Sequence, residues 1–494
     1  MPRVGADVSA VRSVARVADE LTQRVLPDVV EASASVSPSD LRPRHGKVDL
    51  APLVAVTPRV VRADRRLGGQ LQTVQAIDTT RLDSRVAGPV EQLESRLSDA
   101  AAVLDPLSRA VRLLPPMLGQ DGTRRYLLMF QNNAEARSSG GIPGSFAVVT
   151  ARGGKVSIDR QGDAGTIGRF STPPLRLTAA EKDLFGTNLG TFAQDVTFTP
   201  DFPRSAQIVR AMWQQRFGGR IDGVASVDPV ALSHVLGGTG PVQVPGGKLT
   251  AGNAVQTLLS SVYARIPDPL AQNVYFRAVA GNVFEAVASG QGDPRAVVRE
   301  LATSVSERRL LLWSSRSAEE DLISPTRLGG LVTADTAAPQ VGVFLNDAGG
   351  SKLDYYLDAS TDVSATGCRA GRQELTVTLH LRSRVPRGAA GLPTYVVNHR
   401  AGQPKGNILL TTLAYAPPGG SVRSVSVGGA PVKLARHRIG GRDVVLQPVS
   451  ISPQGVGTIT WRMLTDVDQS GPVDLRVTPG VHSDGVGTVG PPAC

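Results

Sequence analysis

RYLLMFQNNAEARSSGGIPGSFAVVTARGGKV, residues 125–156, is the stretch on which the reading of this chain turns. It opens with an apolar run of strand length, Tyr126 to Phe130, and then turns polar from Gln131 to Ser139. The pair Gly140-Gly141 lets the backbone reverse or approach something closely. A second apolar run, Phe146 to Val149, ends at Gly153-Gly154. Two buried strands joined by a polar, charged, glycine-ended loop place that loop at a sheet edge, where sites are commonly built.

Upstream, the spacing predicts helices. Residues 7–35 carry Val8, Val11, Val14, Val17, Leu21 and Val25, with a break near Pro27, and 48–76 form a second helical pattern interrupted at Pro58. Residues 84–112 carry one apolar seam through Val90, Leu93, Leu97, Ala100, Leu104, Leu107 and Val111. Long helices joined by a short turn suggest an antiparallel hairpin, a stalk, a packing arm or a partner-binding pair.

Downstream of the Pro/Gly linker 113–122, helix and strand patterns alternate. A helix near 203–217 leads into the strand of IDGVASVDP (221–229), and Asp228-Pro229 starts the helix carrying Ala231, Leu232 and Val235. GGTGPVQV (237–244) turns into a short strand, Thr250 caps a helix over 251–264, and helices follow over 270–288 and 294–308. From Gln340 the pattern becomes strand after strand, including LDYYLD (353–358) and TYVVNHR (394–400). The expected fold class is α+β and multidomain. It comprises a helical arm (1–112), a central α/β domain (113–338) and a C-terminal antiparallel β-sandwich of immunoglobulin type (339–494).

Composition narrows the classes. A chain of 494 residues calls for more than one core. Its net charge of +10 allows an anionic partner. The basic residues are overwhelmingly Arg, no run of five like charges occurs, and aromatics do not interleave with basic residues, so nucleic acid is not expected as a partner. Cys368 and Cys494 either pair as one disulfide tying down the C-terminus, which fits an oxidising compartment, or stay as two thiols. No apolar run of membrane-spanning length and no signal-peptide pattern is visible. Either the protein is cytosolic or its export segment lies ahead of these residues.

RYLLMFQNNAEARSSGGIPGSF (125–146), IDGVASVDPVALSHVLGGTGPVQV (221–244), LTAGNAVQTLLSSVYAR (249–265), RRLLLWS (308–314), VGVFLNDAGGSKLDYYL (341–357) and LPTYV (392–396) together resemble the family known as domain of unknown function 4012, DUF4012. The resemblance implies an actinobacterial cell-envelope protein, extracytoplasmic and membrane-associated through an N-terminal helix that this sequence lacks. It brings localisation and architecture without a reaction. The order of strand, charged loop, strand, VDGV-like strand and GPV turn is also similar to the LytR-CpsA-Psr domain. Enzymes of that family transfer glycopolymers from a polyprenyl pyrophosphate carrier to peptidoglycan, using arginines, an Asp and a magnesium ion.

Under that second similarity, Arg137 is the phosphate clamp, because a guanidinium binds phosphate bidentately, and Glu135 is the catalytic base or metal ligand, with magnesium as the implied ion. Asn132, Asn133, Ser138, Ser139, Gly140, Gly141, Arg160 and Asp163 complete the expected binding set. The sequence departs from the pattern with Ser-Gly-Gly in place of an Asp-Thr pair. Each residue has a plain alternative: Glu135 and Arg137 as a surface ion pair, the asparagines as strand-closing side chains, Asp222, Asp228 and Asn253 as caps, His234 as structural. No GxSxG, HExxH, Walker loop or dinucleotide fingerprint occurs. The expected function is participation in cell-wall or exopolysaccharide assembly, acting on a cell-wall glycopolymer or polyprenyl-linked saccharide. The protein is then either a phosphotransferase-like glycopolymer ligase or a non-catalytic glycan-binding or scaffold protein.

Overall fold

Apolar residues seven apart shape the N-terminal helices. In the computed structural model, which describes residues 2–35, 42–44, 46–332, 338–391, 396–397, 400–467 and 469–494, the chain splits into two compact units. The first comprises Met1–Arg124, Thr150–Ser157 and Ala288–Gly290 and the second the remainder. Helix Ala51–Gln75 buries Leu53, Val60, Leu67 and Val74, with Val56 and Ala63 between them. Helix Ser84–Met117 buries Val90, Leu97, Leu104 and Val111. A seven-residue step is the coiled-coil period, so the two seams stay face to face along the hairpin. Pro58 does not interrupt its helix, nor do Pro89 and Pro106. Packing of the seams outweighs the cost of about 3 kcal/mol for an interior proline.

The N-terminal helix follows the same rule with one adjustment. Its buried residues are Ala10, Val17, Val25 and Ala32, and the one step of eight crosses a π turn at Leu21–Val25. The Leu26 amide donates to the Leu21 carbonyl there, and the extra residue keeps the seam in register just ahead of Pro27. The expected break near Pro27 is therefore a π turn, and helix resumes over Leu26–Ser35. Val8 and Val11, expected on the seam, are 47% and 54% exposed. No helix among the described residues is long and apolar enough to cross a membrane.

In the central part, β1 (Arg124–Arg137), β2 (Gly140–Arg152) and β3 (Lys155–Asp163) form successive hairpins; β4 (Gly223–Val227) follows, then the small hairpin β5 (Val242–Val244) and β6 (Gly247–Leu249), then β7 (Leu310–Ser314). The sheet order is β3-β2-β1-β4-β7, with β4 parallel to β1 and β7 antiparallel to β4. Helix Phe202–Phe217 lays Ala206, Val209, Met212 and Trp213 against Leu127, Met129, Phe146, Val224 and Trp313 of this sheet. Asp228 caps helix Pro229–Thr239, its carboxylate accepting from the Ala231 amide at 2.7 Å.

The C-terminal part holds β8 (Gln340–Asp347), β9 (Leu357–Arg369), β10 (Arg372–Ser383), β11 (Ile408–Tyr415), β12 (Ser421–Val427), β13 (Ala430–Val432), β14 (Ala435–Ile439), β15 (Arg442–Ile451), β16 (Val456–Leu464), β17 (Asp474–Val477) and β18 (Val486–Val489). They make two sheets, β13-β12-β16-β10-β9-β18 and β14-β15-β11-β8-β17, which share one core around Trp461. The purely antiparallel pattern expected for this region does not hold. β17 runs parallel to β8 and β18 parallel to β9, because the chain after β16 adds one edge strand to each sheet. LDYYLD is not a strand at its start: Leu353–Tyr356 is a 3₁₀ turn that carries Asp354 inward. Most of TYVVNHR lies outside the described residues. Cys368 and Cys494 are bonded to each other.

Asp201 and Glu320 in the second unit stand well above their ordinary range. Burial is the main cause for both; it lifts Asp201 to about 6, and with the nearby Asp201 charge lifts Glu320 to about 7. A carboxyl whose folded value exceeds its unfolded value favours folding most below the unfolded value, and that contribution is lost as pH rises through the folded one. Raising pH from 4 to 8 is expected to lower the stability of the second unit, Asp201 alone contributing on the order of 2 kcal/mol. Urea titrations across that range check this, and Asp201→Asn should flatten the profile.

Candidate functional site

The polar stretch after Phe130 is strand where a loop was expected. β1 continues to Arg137 and β2 starts at Gly140, leaving only Ser138-Ser139 as the turn. Gln131 explains the glycines: its Oε1 accepts the Gly141 amide at 2.8 Å. A Cβ on Gly141 would lie 2.3 Å from the Asn132 backbone, and one on Gly140 would lie 2.3 Å from the Gln131 Oε1. The glycine pair thus serves close approach of β2 to β1.

The hairpin tip is buried and held by partners far away in sequence. The Ala136 amide donates to Asp354 at 2.8 Å, and the Ser138 amide to Asn346 Oδ1 at 2.9 Å. The Ser139 hydroxyl donates to the Thr199 carbonyl at 2.7 Å. Arg137 is 6% exposed; it stacks on the Phe198 ring and lies 3.5 Å from Asp195 and 4.0 Å from Asp347. Burial raises the Asp195, Asp347 and Asp354 carboxyls, and the Asp347 charge adds to the rise at Asp354. Arg137 is the counter-charge of this interior cluster.

A cavity of about 390 Å³ opens on the neighbouring part of the same hairpin. One side is apolar, formed by Leu258, Leu259 and Tyr263 from the helix that runs through Ala254–Arg265, and by Phe276, Val279 and Ala280 from helix Pro269–Ala288. The other side is polar. Glu135 accepts from Lys352 Nζ at 2.5 Å and from Asn132 Nδ2 at 3.1 Å; the same Nδ2 donates to the Tyr263 hydroxyl at 2.8 Å. Lys352 Nζ lies 4.7 Å from the centre of the Tyr263 ring. Burial by itself would lower the Lys352 ammonium, but Glu135 and then Tyr263 outweigh it and the net shift is upward, so Lys352 is a cation at neutral pH.

A tight loop presents that lysine. The Asp347 carboxylate, at the end of a fully buried strand, accepts the amides of Gly349 and Gly350 at 3.0 and 2.7 Å. Asp163 reaches the cavity from the end of β3, where it caps helix Ala164–Ile167 and accepts from Asn273 Nδ2 at 3.1 Å.

Of the expected binding set, Asn132, Glu135 and Asp163 line this cavity. Arg137, Ser138 and Ser139 are in the buried tip, and Arg160 is exposed over the Phe217 ring. Asn133 turns away, donating to Asp228 at 2.8 Å. Asp228 in turn pairs with Arg309 at 2.9 Å, both side chains 2% exposed. The alternation of strand side chains separates Asn132 from Asn133 and sends neighbours into different environments. Asp222 accepts the Arg125 amide, Asn253 and Thr250 cap one another, and His234 meets Glu307 at 3.1 Å. As a metal ligand Glu135 does not fit, since its carboxylate faces an ammonium. Among the described residues no group of three or more His, Cys, Asp or Glu is arranged to hold an ion.

Sequence reasoning missed Gln131, Lys352, Tyr263, Gln272 and Asn273. Lys352 left a faint signal: it is one of seven lysines in an arginine-rich chain, directly after an Asp-Ala-Gly-Gly-Ser turn. Gln131 lies on β1 at the head of the polar run, while Tyr263, Gln272 and Asn273 sit on helices, where nothing in the spacing marks them.

No curated protein matches the chain. Residues 121–263 match the family model described as Protein of unknown function (DUF4012). That segment runs from the start of the β1 hairpin to Tyr263, while Phe276, Val279 and Lys352 of the cavity fall beyond it. The apolar strand, the polar hairpin end and the VDP-capped helix read from the sequence thus fall within the segment, residues 121–263, that matches the DUF4012 model.

Proposed function

We propose that the protein is an extracytoplasmic cell-envelope component that binds an amphipathic glycan, a saccharide head on an apolar tail, in the cavity of its second unit. The observation that carries this reading is the two-sidedness of the cavity. Asn132, Glu135 and Lys352 offer donors and acceptors suited to hydroxyl groups, while Leu258, Phe276 and Val279 offer a wall suited to a hydrocarbon chain. The disulfide supports an oxidising compartment.

Of the two functions the sequence suggests, binding is favoured over glycopolymer transfer by the distribution of charge. Among the described residues no arginine lines the cavity, Arg137 is committed to Asp195 and Asp347, and Lys352 is neutralised by Glu135. A pyrophosphate would meet Glu135 and Asp163 without a clamp. The role in cell-wall or exopolysaccharide assembly is then to hold a lipid-linked saccharide, a partner that keeps the protein close to the membrane.

Equilibrium binding of a polyprenyl-phosphate-linked disaccharide, with the free disaccharide and polyprenyl phosphate as separate probes, tests this. Val279→Trp, which fills the apolar side, is expected to weaken binding of the linked probe by tenfold or more, roughly 2 kcal/mol of lost apolar burial. If the wild type binds none of the probes, or the variant binds as tightly as the wild type, the reading is wrong. Magnesium-dependent transfer by the wild type, lost in Glu135→Ala, would restore the ligase.

A further inference from the structure

A second concave site, which shares no lining residue with the cavity, lies on the outer face of the six-stranded sheet. It is a groove of about 450 Å³ whose lining includes Arg369, Arg372, Arg423 and Arg462. These come from β9, β10, β12 and β16, which lie side by side in the order β12-β16-β10-β9. Four neighbouring strands therefore contribute one arginine each, and the register sets them in two pairs: Arg423 beside Arg462, and Arg369 opposite Arg372 four residues further along β10, about 13 Å away.

These arginine pairs are unfavourable to the protein alone. Arg369 and Arg372 are directly opposed across the β9–β10 hairpin, and Arg462 pairs in register with Thr376 and Ser424 on the adjoining strands. Like charges facing each other across strands destabilise a sheet. Arg423 sits at the irregularity between Val422 and Ser424, which frees it from the regular alternation. Arg372 pairs with Asp466 at 3.3 Å, whereas Arg369, Arg423 and Arg462 have no carboxylate partner among the described residues. Glu374, the one acidic lining residue, leans over Gly367 on the β9 side. The Cys368–Cys494 disulfide adjoins Arg369 and fixes the end of the hairpin.

We propose that this groove binds an acidic polysaccharide carrying a carboxylate on successive sugars, running from one arginine pair to the other. Two arginine pairs about 13 Å apart match a chain that carries negative charge along its length; a single compact phosphate would reach only one of them. Among the described residues no aromatic side chain lines the groove, so they offer no stacking platform of the kind single-stranded nucleic acid uses. The disulfide fits an oxidising, extracytoplasmic setting, which accords with a polysaccharide partner. This site is separate from the cavity, and its failure would leave the cavity reading untouched.

The test is calorimetric titration of the full chain with decagalacturonate at low salt, with dextran as the neutral control. The wild type is expected to bind decagalacturonate and not dextran. Arg423→Ala with Arg462→Ala should weaken binding about tenfold, and Arg423→Lys with Arg462→Lys should restore most of it. Arg65→Ala with Arg96→Ala, removing two exposed arginines of the helical unit, should leave it unchanged. Absence of binding by the wild type overturns the proposal. So does equal weakening by both alanine pairs, which would assign the affinity to the overall charge of +10. Tighter binding of single-stranded DNA or of phosphatidylglycerol vesicles, with the same sensitivity at Arg423 and Arg462, would replace the polysaccharide by that partner.

Discussion

Asp228→Ala is expected to cost the second unit about 3–5 kcal/mol, the usual result of stripping one partner from a buried ion pair. The Arg309 guanidinium donates to Asp228 at 2.9 Å, to Glu307 at 2.6 Å and to the carbonyls of Gly480 and Ser483 at 2.9 and 3.0 Å. Burial by itself would lower Arg309, but Asp228 and Glu307 raise it overall, so its charge is held firmly inside the fold. Alanine at 228 leaves that charge without its nearest counter-ion, takes the cap from helix Pro229–Thr239 and leaves Asn133 Nδ2 without its Asp228 partner. Asp228→Ala combined with Arg309→Met should recover a large part of the loss, because the uncompensated charge goes with the arginine. Tryptophan fluorescence in urea is the natural readout, since Trp213, Trp313 and Trp461 all belong to the second unit. A single-variant loss under about 1 kcal/mol would mean that water reaches Arg309 in solution.

Removing the disulfide should rank next. The bridge closes a loop with a sequence separation of 126 residues and anchors the segment after β18 to the end of β9. The chain-entropy account gives about 4–5 kcal/mol for a loop of that order, and measured losses run nearer 2–4 kcal/mol. Cys368→Ser with Cys494→Ser, and the wild type under reductant, should show the same lowered urea midpoint. If reductant leaves the midpoint of the wild type unchanged, the bridge contributes nothing to the native state. The edge strand β18 should be the first element to lose amide protection in the reduced protein, because it is short and lies outermost in its sheet.

The helices of the first unit, the strand–helix alternation after Arg124 and the strand-rich region after Gln340 were all legible in the sequence, because each rests on a local period that burial enforces. The Asp228 cap was legible for the same reason: a cap is made within three residues. The cysteine pairing stood as one of two alternatives until coordinates brought Cα atoms 126 residues apart to within 5.1 Å. The run Gln131–Ser139 looked like a polar loop because seven polar residues interrupted only by Ala134 and Ala136 carry no mark of burial. Only tertiary contacts decided otherwise, through Asp354, Asn346, Asp195 and Thr199, which satisfy the tip from up to 218 residues away. Those contacts took Arg137 out of the site and left Glu135 in it beside Lys352. Local periodicity determines which segments become helix or strand, since its energy is paid within a few residues. Which polar groups share a cavity depends on pairings between distant segments, and no spacing along the chain records them.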